Sequence, residues 1–295
     1  DSADVWQRPE LFVVDGEGNV AGQAGVPPDY FSEDGQLWGM PVYNWEAIKS
    51  HDYDWWVQRI RKNMELYDIL RLDHFRAFST YWEVPAGEKT AKKGEWKKGP
   101  GAEFFQKLEQ ELGQLPLVAE DLGDIDDEVI KLRETFDMPG LKVLQFGFTK
   151  MDGWIDHIPH HYTPNFVVYT GNHDNNTTVG WFRKETDQQD HEKIKAYVGD
   201  LDISEKNIHL IMARMAYASV ANMVVIPVQD LMGLDESARI NKPGTVKDNW
   251  SWRLKPQQLK PQVADLLKKW VVLYDREDKT PLEKPNGSNA SDIRT

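Results

Sequence analysis

Cysteine is absent from the 295 residues, which excludes disulfide staples and thiolate metal sites and fits a reducing compartment such as the cytoplasm. No apolar run approaches the ~20 residues that a membrane-spanning helix needs. The opening Asp1-Ser2-Ala3-Asp4 lacks a charged-then-apolar signal pattern. Positive charge is in deficit, with 35 Lys and Arg against 48 Asp and Glu and a net charge of −13. Nucleic-acid binding relies on basic patches that displace counterions from phosphates, so this balance points away from nucleic acid and toward a neutral partner. Lys89, Lys92, Lys93, Lys97 and Lys98 do cluster, but Gly94 and Glu95 break the run and Gly99-Pro100-Gly101 ends it. That segment, residues 86–101, reads as a solvated loop. No internal repeat of fixed period is present.

What is there describes a globular chain with a sizeable core: 40% hydrophobic and 28% charged residues. Twelve Trp and ten Tyr are a heavy aromatic load, usable as core filler or as platforms for flat apolar faces such as those of sugar rings. Trp181, Trp250 and Trp252 suit a core; Trp38, in a Gly- and Asp-rich stretch, suits one less well.

Short apolar runs alternate with amphipathic stretches, the pattern of βα units on a parallel sheet. Strands are expected at Ile69–Asp73, Leu117–Glu120, Leu141–Phe146, Phe166–Thr170 and Met223–Val228, and helices at Tyr53–Leu66, Glu103–Leu112, Ile125–Phe136 and Glu205–Val220. Asp124 is the expected cap of the third helix. Five such strands make part of an α/β fold of the (β/α)8 TIM-barrel type, with about the first three strands absent from this chain. The first 68 residues, rich in Gly and Pro, read as loop before a single helix. The expectation is that residues 1–276 form the C-terminal part of a barrel whose earlier segment lies elsewhere. Residues 277–295 form a polar tail, disordered or vector-derived.

Three strand ends carry candidate chemistry. In Ile69-Leu70-Arg71-Leu72-Asp73, period two places Arg71 and Asp73 on one face, where the guanidinium favours an ionised carboxylate. This suits a nucleophile, and equally a simple ion pair. Leu117-Val118-Ala119-Glu120 ends in an acid, with Asp121 and a glycine turn after it; either acid could instead cap the next helix. Tyr169-Thr170-Gly171-Asn172-His173-Asp174 ends in a His-Asp pair suited to gripping vicinal hydroxyls. Asp73-His74 and His173-Asp174 also admit a metal reading, weakened by the lack of a third histidine at ligand spacing. A retaining glycosidase needs one ionised carboxylate and one protonated acid about 5–5.5 Å apart, which neighbouring barrel strands can supply.

Arg71-Leu72-Asp73-His74-Phe75-Arg76, Ala119-Glu120-Asp121-Leu122-Gly123 and Gly171-Asn172-His173-Asp174-Asn175 resemble the three catalytic segments of the 4-α-glucanotransferases, or amylomaltases. The stretch from Gly25 to Gly39, within a loop at about 16–46, resembles that family's glucan-binding loop. Pro243-Gly244-Thr245 and Asn249-Trp250-Ser251-Trp252-Arg253 resemble its segment beyond the last barrel strand. The resemblance runs from Asp1 to about Arg276. It implies a retaining transferase for α-glucans and maltooligosaccharides that needs no metal or organic cofactor. Asp73 would be nucleophile, Glu120 general acid/base and Asp174 transition-state stabiliser. Arg71, Asn172 and His173 would support them, and Asp29, Tyr30, Phe31, Gln36 and Trp38 would contact glucan. Ala77, Met40 and Asn176 depart from the common family pattern and leave acceptor preference open. The competing expectations are an α-amylase-like hydrolase, or a glucan-binding fragment inactive without its N-terminal part.

Overall fold

A computed structural model describes residues 2–28, 32–149 and 154–277. Asp29, Tyr30, Phe31 and the tail from 278 onward lie outside the described residues. The chain divides into two compact units, one of Asp1–Lys142, Thr163–Val167 and Ala221–Met223, the other of Val143–Tyr162, Val168–Val220 and Val224–Thr295.

Nine strands are present among the described residues: β1 (Gly22–Val26), β2 (Gln36–Pro41), β3 (Leu70–Leu72), β4 (Thr80–Pro85), β5 (Glu95–Lys98), β6 (Leu117–Ala119), β7 (Gly140–Val143), β8 (Phe166–Tyr169) and β9 (Met223–Val225). The five expected strands are β3, β6, β7, β8 and β9, each ending earlier than the apolar run suggests. The fold is α/β. Strands β3 and β6 pair in parallel, with Leu70 opposite Leu117, Arg71 opposite Val118 and Leu72 opposite Ala119. Strands β7, β8 and β9 form a three-stranded sheet in that order. Leu144, Gln145 and Phe146, expected as strand, lie instead in the helix Leu144–Gly147, and Val228, the expected end of the last strand, opens the helix Val228–Leu231.

The first 68 residues are more structured than expected. They hold the helices Ala3–Gln7, Trp45–Ser50 and Asp54–Met64 as well as β1 and β2. Strands β1 and β2 join β4 and β5 in a sheet of order β2-β1-β4-β5, antiparallel throughout. The lysine-rich stretch is therefore in part a strand and not a free loop. Its register sets Trp82 opposite Trp96, with ring centroids 5.3 Å apart. Its lysines find carboxylates: Lys92 with Asp34 at 2.6 Å, Lys93 with Glu88 at 3.3 Å and Lys97 with Glu95 at 2.6 Å. At Gly25 the partner strand comes so close that a Cβ would sit 2.2 Å from the Gln36 carbonyl oxygen. Only glycine allows that approach.

The core of the first unit comes from helical spacing. Trp56, Val57 and Ile60 bury one face of Asp54–Met64, and Phe104, Phe105 and Leu108 bury one face of Gly101–Leu112. Trp45 stacks on Trp56 at 6.0 Å, and Phe78 on Phe104 at 5.3 Å. Each such side chain stabilises by roughly 1.5–3 kcal/mol when fully buried. Asp126, not Asp124, caps the next helix, Asp127–Thr135, by accepting the N–H groups of Glu128 and Val129. Asp124 lies two residues too early to reach them.

The second unit packs Thr178–Lys184, Gln188–Tyr197 and Ile208–Ala218, burying Trp181, Phe182, Ile194, Met212 and Ala216. Trp181 is core as expected, at 2% exposure, whereas Trp250 is exposed. No helix among the described residues is long and apolar enough to cross a membrane.

Candidate active site

In the first unit the parallel register of β3 and β6 decides the geometry. Asp73 and Glu120 are the residues directly after Leu72 and Ala119, which stand opposite each other. The two carboxylates therefore emerge side by side from neighbouring strand ends. The Glu120 N–H donates to the Leu72 carbonyl at 2.9 Å, and the Phe75 N–H donates to the Glu120 carbonyl at 3.0 Å. Arg71 lies on the face opposite Leu70 and Leu72, and its Nη1 meets Asp73 Oδ1 at 2.6 Å. Asp73 is open to solvent, with its side chain 78% exposed.

Glu120 sits in different surroundings. Its Oε2 accepts the His74 N–H at 2.7 Å and its Oε1 the Leu122 N–H at 3.1 Å. Burial pushes its pKa up from 4.5 to about 7; the Arg71 charge and the two N–H groups oppose that rise, and the Asp73 charge adds to it. The carboxyl thus holds a proton to near neutral pH. His74 takes a left-handed backbone at φ 48° and ψ 53°. Burial pulls its imidazole down to about 4, with Asp73 opposing and Arg76 assisting. Its ring meets Trp38 edge to face at 4.8 Å and 90°. Trp38 in turn donates from Nε1 to Gln36 at 3.3 Å. Arg76 is buried, bonded to the Asp124 carbonyl, Thr80 and Asp126, and covers the Trp96 ring at 4.3 Å.

Asp121 is not a helix cap. Its Oδ1 accepts the Leu141 N–H at 2.7 Å and its Oδ2 lies 3.2 Å from Arg133 Nε. The carboxylate ties the helix Asp127–Thr135 to the start of β7. Gly140 leaves the room for it, since a Cβ there would lie 2.5 Å from Asp121 Oδ2.

The second unit holds Asn172, His173 and Asp174 in the turn after β8. Asn172 Oδ1 accepts the Asp174 N–H at 2.9 Å, and Asn175 Oδ1 accepts the Asn172 N–H at 2.9 Å. His173 Nε2 lies 3.4 Å from Asp174 Oδ2, and its ring is 5.6 Å from Trp250. Asn241 donates to Asp174 Oδ1 at 2.6 Å, and Arg239 Nη2 donates to the Asp174 carbonyl at 2.6 Å. Beneath the turn, buried Asp230 accepts from the Thr170 hydroxyl at 2.6 Å and from the Thr178 N–H and hydroxyl, both at 2.7 Å. Burial raises the Asp230 pKa against these bonds.

The structure brings Arg71, Asp73, Glu120, Gln36 and Trp38 together in one unit, and Asn172, His173 and Asp174 in the other. Sequence reasoning named His74 only as a possible metal ligand beside Asp73, and missed Arg239, Asn241 and Asp230, for which no local signal exists. Among the described residues no group of three His, Asp or Glu side chains could hold a metal ion.

An acid with a raised pKa beside a second carboxylate at the end of a parallel strand pair is an arrangement that acid–base chemistry on an α/β frame can use. Residues 1–259 match the 4-alpha-glucanotransferase family model, and the chain belongs to that family. It is 48% identical over 276 residues to a 4-alpha-glucanotransferase of Streptococcus pneumoniae, covering 94% of this chain and 54% of the relative. It is 50% identical over 279 residues to one of a Synechocystis species, with the same coverage. The amylomaltase of Streptococcus agalactiae, solved in complex with acarbose, superposes with a TM-score of 0.89 at 40% identity, covering 94% of this chain and 56% of that one. The chain spans about half the length of these relatives.

Proposed function

We propose that this chain supplies the reacting face of a 4-α-glucanotransferase of the (β/α)8 barrel type, acting in the cytoplasm on maltooligosaccharides and longer α-1,4-glucans. The observation that carries the reading is the paired strand ends of β3 and β6. They hold one exposed carboxylate against Arg71 and one half-buried carboxyl with a pKa raised to about 7.

Asp73 attacks the anomeric carbon, and the bond from that carbon to the O4 leaving oxygen breaks as Glu120 donates its proton to O4. The glucan is then held as an ester of Asp73. The 4-hydroxyl of an acceptor glucan next attacks the same carbon, Glu120 takes the hydroxyl proton, and the ester bond breaks to free the Asp73 carboxylate. Two inversions give retention. Arg71, 2.6 Å from Asp73 Oδ1, orients the attacking carboxylate. Asp174, fixed by Asn241, Asn172 and Arg239, accepts from sugar hydroxyls as the ring flattens, with His173 beside it as a donor. Gln36 and Trp38, with Asp29, Tyr30 and Phe31, contact the glucan, and aromatic faces favour a sugar acceptor over water. Residues 1–276 form the barrel portion, and the polar tail follows.

The test is incubation with maltotriose. Transfer gives maltose with maltotetraose, or glucose with maltopentaose, from the start, and Asp73→Ala abolishes both. Glucose and maltose without longer products would make the protein a hydrolase. Glucan binding without turnover, with the remainder of the enzyme supplied, would leave a binding module.

A further inference from the structure

The turn that follows Asp73 is built around a residue for which the reaction above has no assigned use. His74 is a non-glycine residue in the left-handed region, φ 48° and ψ 53°, a conformation uncommon outside Gly, with Asn, Asp and His its most frequent other occupants. Two contacts are in place to hold it there. On the backbone side, its N–H points at Glu120 Oε2 at 2.7 Å. On the side-chain side, the imidazole receives the Trp38 indole edge to face at 4.8 Å. The left-handed backbone at 74 also turns the chain so that the next N–H, that of Phe75, donates to the Glu120 carbonyl at 3.0 Å.

We propose that His74 is a positioning residue for Glu120: its left-handed backbone fixes one carboxyl oxygen, and its ring couples that turn to Trp38 on β2. This inference rests on the assignment of Glu120 as acid/base. With Oε2 held by His74 and Oε1 by Leu122, both oxygens have fixed directions. The carboxyl cannot swing, so its proton is delivered along one line. The charged groups that act on Glu120 are Arg71 and Asp73 from the end of β3. The His74 imidazole, held well below its ordinary range, stays neutral through the working pH and adds no positive charge beside them. Trp38 sits on the sheet expected to hold glucan, so its docking on His74 ties occupancy of that surface to the aim of the acid.

The test compares Gly, Asn, Ala and Val at position 74 in the enzyme that carries this chain, with maltotriose transfer followed across pH. The loss of kcat should follow intolerance of positive φ: about 3- to 5-fold for His74→Gly and His74→Asn, about 10-fold for His74→Ala, and 100-fold or more for His74→Val, with KM within about 3-fold throughout. The His74→Val enzyme should also carry its alkaline limb to higher pH, because the lost N–H favoured ionised Glu120. A role confined to folding would lower the amount of active enzyme and leave that limb in place, which would overturn the proposal. Losses that follow side-chain size, with Gly worst, would overturn it too. Should His74→Val not fold, the Gly, Asn and Ala series carries the same ordering. Glu120→Gln run alongside separates the two readings: if that variant transfers normally, the acid/base assignment fails, whatever His74 does.

Discussion

Replacing Glu120 with Gln should stabilise the protein at alkaline pH and hardly change it in acid. The carboxyl is the ordinary 4.5 when unfolded and about 7 when folded, so between those values the native state binds the extra proton. Stability from this group is lost as pH rises from about 4.5 to about 7, and above that range the full cost of ionising a buried acid is present. At about 1.4 kcal/mol per pH unit, the cost is about 1 kcal/mol at pH 5 and about 3 kcal/mol at pH 8. Glutamine never ionises and is free of it. It also offers one carbonyl to the two N–H groups of His74 and Leu122, a loss of about 1 kcal/mol that is the same at both pH values. The difference between variant and wild type should therefore change by about 2 kcal/mol between pH 5 and pH 8, in favour of the variant at pH 8. Urea denaturation of both proteins at the two pH values measures it. A difference that stays constant within about 0.5 kcal/mol would refute the reasoning that burial holds Glu120 as an acid.

The same value places the alkaline limb of transfer activity near pH 7, since the protonated acid is lost above it. Arg71→Ala removes the cation that opposes that rise, so the limb should move to higher pH while kcat falls about 100-fold, read from a pH–rate profile. Gly140→Ala drives a methyl against Asp121 Oδ2 and parts it from Arg133, and should cost about 3 kcal/mol in urea denaturation. Asp230→Ala strands the Thr170 and Thr178 donors in a buried site and should cost about 2–4 kcal/mol by the same measurement.

The strands β3, β6, β7, β8 and β9 were legible because each lies in a short, mostly apolar stretch, alternating with Arg71 or Lys142 in β3 and β7, that period and apolar content identify without any partner. The antiparallel sheet was not. Glu95-Trp96-Lys97-Lys98 is a strand only because Thr80–Pro85 lies beside it, and its charges read alone as a solvated turn. Strand identity there is a property of the pairing, which a single segment cannot display. The site divides in the same way. Asp73 and Arg71 share a face by local alternation, so their ion pair follows from the sequence. The contacts of Asp174 with Arg239 and Asn241 close across more than sixty residues of chain, and nothing local announces them. Asp121 shows the opposite error: its place after a strand suggested a helix cap, but the cap is Asp126, and Asp121 is taken by a buried arginine.

The early ends of the strands bear directly on the chemistry. A ladder uses up its N–H groups on the neighbouring strand, so a carboxylate inside it would find no donors and could not stay buried. Strand β3 stops at Leu72 and β6 at Ala119, one residue before Asp73 and Glu120. The turns that follow release the N–H groups of His74 and Leu122 from any ladder, and these two are the groups that Glu120 collects. A longer β3 would pair the His74 N–H with a strand neighbour and leave Glu120 either unsatisfied or turned to solvent, where its pKa would fall back toward 4.5. The shortness of the strands, the left-handed turn at His74 and the raised pKa of Glu120 are thus one arrangement: the sheet stops where its unspent donors can hold an acid that is kept protonated by burial and still fixed in direction.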